Sequence, residues 1–363
     1  MLLSAYANSL TVTSNPYSNL PSSSFWKTGV AQENPFKINN IYAKKFAISS
    51  TDKIATAGSC FAQHISRYLK KNGYGVLDAE PAPPGLPEAL HSTFGFSMYS
   101  ARYGNIYTVR QLLQLIQEVA NIREPRAYIW NKYTRFYDGL RPAIEPNGLR
   151  SQEEVVEHRL HHLSRVNHVF KQLDVFIFTL GLTESWLHID SGTIFPLAPG
   201  ALVGNYDPTS HGFYNASFTE IVDDFLQFES ILKSLRNSKP YKIILTVSPV
   251  PLTATASGKH ILVSNTYSKS VLRKVAGYLS DHYSHIDYFP SYELVTNPRL
   301  HSSSYSHNLR TVREEKVDSV MKHFFEQHPP IFTQNKNAYV EQQRKDSLSD
   351  LQCEEALLDA FSK

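Results

Sequence analysis

Two hydrophobic periods alternate along this chain from about residue 53 onward. Short apolar runs bounded by polar or turn residues stand at 53–57, Val175–Leu180, Lys242–Val247 and 286–289, the pattern of strands buried on both faces of a parallel sheet. Between them apolar positions recur at helical spacing: Phe61, Ile65, Tyr68 and Leu69 in one stretch, Leu112, Leu113, Leu115 and Ile116 in Val109–Val119. Helices are also expected over 151–172, 218–236, 267–282 and 313–327. Strands alternating with helices imply a mostly parallel sheet covered on both sides, an α/β fold of three layers, α/β/α.

Turn chemistry punctuates the pattern. Asn72-Gly73 ends the first helix, and Pro81, Pro83, Pro84, Gly85 and Pro87 mark the loop that follows. Residues 1–45 are rich in Ser, Asn, Pro and Tyr without periodicity, and read as an extended arm that wraps the domain, anchored by Phe25 and Trp26. Residues 46–330 form the α/β domain with inserted loops and helices, and 331–363 a tail or added helix, weakly amphipathic over 347–361.

Composition narrows the class. With 363 residues, 42% of them hydrophobic, the chain can bury a large core and disorder is not the default. The net charge of +3 is spread without a basic run, which speaks against nucleic-acid binding. Cys60 and Cys353 make neither a disulfide framework nor a zinc site, so a reducing compartment and no metal are expected. No basic segment followed by an apolar core opens the chain, and no run approaches the roughly 18 apolar residues of a membrane span. The expectation is a cytoplasmic protein.

The candidate chemistry lies at Gly58-Ser59-Cys60-Phe61-Ala62, where a strand turns tightly into a helix. In an open parallel sheet, ligands bind beyond the carboxyl ends of the strands. A nucleophile there is exposed by the turn, and the helix N-terminus favours a thiolate or a developing oxyanion. The plainer reading makes Gly58 and Ser59 turn and capping residues and Cys60 a small buried hydrophobe.

Gly58-Ser59-Cys60-Phe61-Ala62 resembles the signature of the GSCFA family. The likeness continues through Arg102-Tyr103-Gly104-Asn105-Ile106-Tyr107-Thr108, Thr179-Leu180-Gly181-Leu182-Thr183-Glu184-Ser185-Trp186, Thr246-Val247-Ser248-Pro249-Val250-Pro251-Leu252 and Tyr288-Phe289-Pro290-Ser291-Tyr292-Glu293, over most of 15–327. That family is similar to the SGNH hydrolases, which implies a flavodoxin-like sheet and acyl transfer or hydrolysis, often of acetyl on carbohydrates, without a metal or other cofactor. Set against the superfamily's Gly-Asp-Ser, Gly58 matches the Gly, Ser59 the Asp and Cys60 the nucleophile, which ranks Cys60 first and Ser59 second.

The resemblance also implies an oxyanion hole. Gly104, with Asn105 beside it, matches the second block, and Gly181-Leu182-Thr183-Glu184 stands where Gly-x-Asn-Asp is usual. Thr183 keeps a hydroxyl donor but loses an amide, and Thr183 with Glu184 also fits a helix-capping pair. The usual Asp-x-x-His is replaced by Asn308-Leu309-Arg310-Thr311, so the standard base is absent. His64, four residues past Cys60 on one helix face, is a substitute, as are His307 and His301 in the loop that normally carries the base.

Other prominent residues read as structural. His158, His161 and His162 form a helix face, Trp26, Trp130 and Trp186 are packing residues before they are a sugar-binding cleft, and Ser248-Pro249-Val250-Pro251 shapes the pocket wall. The expected function is an acyl, chiefly acetyl, esterase or transferase acting on a carbohydrate or other hydroxylated substrate with a small acyl donor. Its rivals are a non-catalytic binding or assembly protein on the same scaffold and a thiol redox role for Cys60.

Overall fold

A computed structural model describes residues 15–34, 38–299, 301–329 and 354–362, with only the backbone of His301, Ser302 and 354–356. Five parallel strands form the central sheet: β1 (Lys53–Gly58), β2 (Gly75–Val76), β3 (Val175–Leu180), β4 (Lys242–Val247) and β5 (Ile286–Tyr288). Their spatial order is β2-β1-β3-β4-β5, all pairs parallel. This is the flavodoxin-like order 2-1-3-4-5, whose switch point falls between β1 and β3.

The strand pattern produces two cores. Along β3, Val175 and Ile177 face one layer while Phe176, Phe178 and Leu180 face the other. The first layer holds α1 (Phe61–Lys71) with the later helices α6 (Ser291–Thr296) and α8 (Glu314–Gln327). On the opposite face lie α2 (Val109–Val119), α3 (Gln152–Gln172), α4 (Phe218–Leu235) and α5 (Ile261–His282). Both faces of the strands are therefore apolar, which is why they read as continuous runs.

Local signals set the helix starts. Thr108 with Gln111, and Ser217 with Glu220, form reciprocal capping boxes on α2 and α4. Helix α5 begins at Ile261, six residues before the expected 267, because His260 caps it by accepting from the Leu262 amide. Its first turn exposes Leu262 and Val263, so the amphipathic pattern there is silent.

Two accessory sheets were not foreseen. A hairpin pairs Ile129–Lys132 with Arg135–Asp138, and Glu184–His188 forms an antiparallel sheet with Thr193–Phe195 and His211–Asn215. These strands have three to five residues and are mostly half-buried, too short to show a period. Thr183 and Glu184 consequently lead into a strand, and the helix-capping reading of that pair is corrected.

The arm is anchored elsewhere than expected. Phe25 and Trp26 are 39% and 69% exposed, whereas Ile38 and Tyr42 are buried in the α1/α8 core. The Tyr42 hydroxyl lies 3.0 Å from both Asp287 Oδ2 and His328 Nε2, and the Lys45 amide donates to the same carboxylate. Of the terminal stretch, the described part is a 3-10 turn at Glu354–Phe361, and Cys353 lies outside the described residues. Among the described residues no helix is long and apolar enough to cross a membrane.

Candidate functional site

At the switch point β1 leaves into α1 on one face, while the chain after β3 reaches α4 on the other. The crevice between the two strand ends is where the turn 58–60 sits. Gly58 has φ of +135°, and a Cβ there would meet the Thr179 carbonyl oxygen at 2.5 Å, so only glycine allows β1 to approach β3 this closely. The Ser59 amide donates to that same carbonyl at 3.2 Å.

Segment 104–107 bridges the crevice. The Ile106 amide donates to the Gly58 carbonyl at 3.0 Å, and the Gly181 and Leu182 amides donate to the Tyr107 carbonyl at 3.1 and 3.0 Å. Gly104 takes a left-handed φ of +69° as the segment enters. A Cβ on Gly181 would lie 2.9 Å from Ser59 Cβ and 3.0 Å from the Tyr107 carbonyl oxygen, so side-chain bulk there would separate the strand ends. Three motifs that are far apart in the chain are thereby sutured through their backbones.

Side chains lock the same junction. Tyr99 donates from its hydroxyl to the Ser59 carbonyl (3.1 Å) and to Asn105 Oδ1 (2.6 Å), and the Gln63 amide group reaches both Tyr99 and Asn105. Asn105 is thus a neighbour of the turn, as expected, while Tyr99 and Gln63 were not anticipated. From α5, Ser268 accepts from the Thr183 amide, and the Lys269 ammonium donates to the Gly181 carbonyl at 2.8 Å. Lys269 is 1% exposed. Its one sequence signal was a lysine within the buried stripe Ser268, Leu272, Val275, Ala276 of α5.

The nucleophile candidates are well covered: Cys60 is 4% exposed and Ser59 2%. Cys60 stands at the start of α1 without a side-chain capping bond. The hydroxyls of Ser59 and Thr183 are buried with no hydrogen-bond partner among the described residues. Such orphan groups carry a desolvation cost of about 1–3 kcal/mol that a polar ligand atom would relieve. Glu184, also buried, accepts from the Thr255 hydroxyl at 2.9 Å through both oxygens, and burial raises its carboxyl pKa.

The base candidates separate. Burial, with the neighbouring Arg67 guanidinium, lowers His64 to about 3. Its Nδ1 is 3.1 Å from Arg67, while the Glu314 carboxylate at 3.9 Å is itself engaged by that guanidinium. A neutral imidazole so reluctant to take a proton is a weak general base near pH 7. His307 is exposed on the loop after α7 (His301–Ser304), and the side chain of His301 lies outside the described residues.

Asn308 and Thr311, which replace the usual acid and base, are exposed and occupied with each other. Asn308 Oδ1 accepts from the amides of Arg310 and Thr311, and its amide group donates to the Thr311 hydroxyl at 3.0 Å. They form a turn that leads into α8, and the substrate-binding role expected of Asn308 has no geometric support. The loop itself is pinned to the sheet edge: Tyr305 donates to the Pro249 carbonyl and Arg310 to that of Pro251.

The remaining sequence candidates disperse. His162 is not a surface helix residue: it is fully buried, with Nδ1 2.7 Å from Glu80 Oε2. Trp130 packs on Phe195, while Trp186 stays half-buried beside Tyr206 and Phe213. No group of three or more His, Cys, Asp or Glu among the described residues has metal-holding geometry.

Against known proteins, a family model described as the GSCFA family matches residues 53–324. No curated protein and no solved structure matches the chain.

Proposed function

The chain belongs to the GSCFA family, and on that premise we propose that it transfers or hydrolyses an acyl group, acetyl first, on a carbohydrate or other hydroxylated substrate. Cys60 is the nucleophile in this reading and Ser59 its alternative. The observation that carries it is the convergence of Gly58–Cys60, Gly104–Tyr107 and Gly181–Thr183 at the switch point of the sheet. The likeness to SGNH hydrolases adds the reaction class, and Trp186 with Tyr206, beyond Glu184, offers aromatic faces suited to a sugar ring.

The steps follow from thiol chemistry. A base takes the Cys60 proton as sulfur attacks the acyl carbonyl carbon, and the negative charge on oxygen is met by the Thr183 hydroxyl and backbone amides of the turn. The ester C–O bond then breaks, the leaving oxygen receives the proton, and the thioester passes its acyl group to water or to an acceptor hydroxyl. The base is drawn from the loop between α6 and α8. His307 and His301 are the candidates there, and His64 is the poorer base because burial lowers its pKa to about 3.

Incubation with 4-nitrophenyl acetate followed by mass spectrometry tests the proposal. The expected result is nitrophenol release and an acetyl adduct on the Cys60 peptide, both abolished in Cys60→Ala. Loss in Ser59→Ala with retention in Cys60→Ala moves the nucleophile by one residue. His307→Ala or His301→Ala should slow the reaction about 10²- to 10⁴-fold, with His64→Gln near wild type.

A second reading, a binding or assembly protein on the same scaffold, is favoured by the cover over Cys60 and by the Asn308–Thr311 turn. It expects no adduct with any acyl donor, while a glycan still raises Tm.

A further inference from the structure

A cavity of about 650 Å³ opens between the proline-rich loop after β2 and helix α3, on ground the acyl reading does not use. Its size is that of a small-molecule site, about 300–1,000 Å³. Arg102 and Arg141, both buried, form its floor. Arg102 is fixed by the carbonyls of Phe94 and Ile144 and by Glu145, and it stacks on Phe96 with its guanidinium carbon 3.9 Å from the ring centroid. Arg141 is held by Asp138 and by the Arg102 carbonyl, and its buried Nη2 has no partner among the described residues.

The rim comes from one helix stripe. His158, His161 and Arg165 follow each other at spacings of three and four on α3 and line the cavity, joined by the exposed Glu157. The other lining carboxylate, Glu80, already accepts from the Arg102 amide and is paired with His162. Three guanidinium groups and two imidazoles thus line the cavity with two carboxylates; Arg102 and Arg141 are paired with Glu145 and Asp138, Glu80 is engaged, and Arg165, which donates to His161 at 3.2 Å, brings the rim its cation. Pro81, Pro83 and Phe96 supply apolar wall opposite this stripe.

From these features we infer that the cavity is a binding site for a small molecule bearing an oxyanion, a carboxylate or a phosphate, on a partly apolar body. A guanidinium floor with restrained side chains, completed by Arg165 at the rim, suits charge-assisted recognition of such a group. Phe96 and the prolines cover the rest of the ligand. The helix face of histidines that the sequence displays is the mouth of this site, apart from His162, which braces Glu80 behind it.

The test is titration of the full chain with inorganic phosphate in one arm and with citrate and glucuronate in the other, read by Tm shift and calorimetry, with glucose as the neutral control. At least one arm should bind saturably and weaken with added salt, and glucose should do nothing. Binding to phosphate alone assigns a phosphate ester, and binding to the carboxylates alone assigns an organic acid. The double variant His161→Glu/Arg165→Glu, both on the exposed rim, should weaken binding about tenfold or more while its unliganded Tm holds. Absence of saturable binding in both arms, or full affinity in the double variant, overturns the inference. Cys60→Ala should bind as wild type does, so this result stands apart from the fate of the acyl reading.

Discussion

Two buried polar regions meet at Asn105 and are built on different principles. On one side, Asn105 accepts from Tyr99 and Gln63 at the strand-end junction, where the charged side chains stay few and backbone bonds dominate. On the other it lines a small cavity of about 40 Å³ with Arg141, Arg159 and His162, each paired to a carboxylate: Arg141 to Asp138 (2.8 Å), Arg159 to Glu118 (2.6 Å) and His162 to Glu80 (2.7 Å). The junction is a cradle of glycines, amides and hydroxyls with one buried cation, Lys269, and the Ser59 and Thr183 hydroxyls lack partners among the described residues. The ionic cluster is a clamp that fixes α3 against the 79–105 segment and the hairpin. Its stability cost and benefit are both large, because these groups are out of water and rely on one another.

That difference makes the clamp the place where single changes hurt stability most. Arg159→Met leaves Glu118 as an uncompensated buried carboxylate, and unfolding free energy should fall by about 3–5 kcal/mol in urea melts. The double variant Arg159→Met/Glu118→Leu should recover much of the loss, since it removes both charges. A loss under about 1 kcal/mol in the single variant would mean that the two regions do not differ as described.

Acid should loosen the clamp next. Burial and the nearby Arg141 lower His162 to about 4 despite the Glu80 carboxylate, so the folded protein refuses a proton that the unfolded chain accepts. Stability from this residue is present above the ordinary imidazole value of 6.5 and is lost as pH falls towards 4. For Glu80, burial opposes ionisation but His162, Arg141 and the Arg102 amide prevail and hold it at about 2, extending the loss from about 4.5 down to that value. His64, at about 3, adds the same sign from the junction side. Between pH 7 and 5 the urea midpoint should drop by an amount worth on the order of 1–2 kcal/mol per buried histidine, and His64→Gln should remove only the junction's share. A flat profile over that range would show that neither imidazole is held neutral.

The smallest effect belongs to the exposed turn that took the place of the usual acid and base. Asn308→Ala loses the bonds to Arg310, Thr311 and the Thr311 hydroxyl, and should cost at most about 1 kcal/mol with acyl turnover unchanged. A large loss of turnover without a loss of stability would return Asn308 to the reacting centre and widen the junction to include it.

Legibility followed the same divide. Four of the five central strands, β1, β3, β4 and β5, showed in the sequence almost to the residue because both of their faces are apolar, while the two-residue, partly exposed β2 was missed, and the helices α2, α3, α4 and α8 showed through their period. The turn at Gly58–Cys60 and the Gly104 and Gly181 motifs were legible because each is local. What stayed hidden was assembled from distant pieces. Glu80 meets His162 across 82 residues, and Lys269 meets Gly181 across 88, with only an odd polar residue in an apolar stripe as a sign. The accessory sheets were missed because strands of three to five residues carry no period, and Phe25 and Trp26 misled because aromatic type alone does not decide burial.

By itself the sequence determined the layer order, the switch-point turn and the family, since these rest on short-range patterning that any compact fold of this chain must honour. Tertiary structure decided which histidine is neutral, which polar groups lack partners, and that a cationic cavity lies beside the segment carrying Arg102. Those properties depend on desolvation and on distances between residues far apart in the chain, quantities that exist only once the layers have packed.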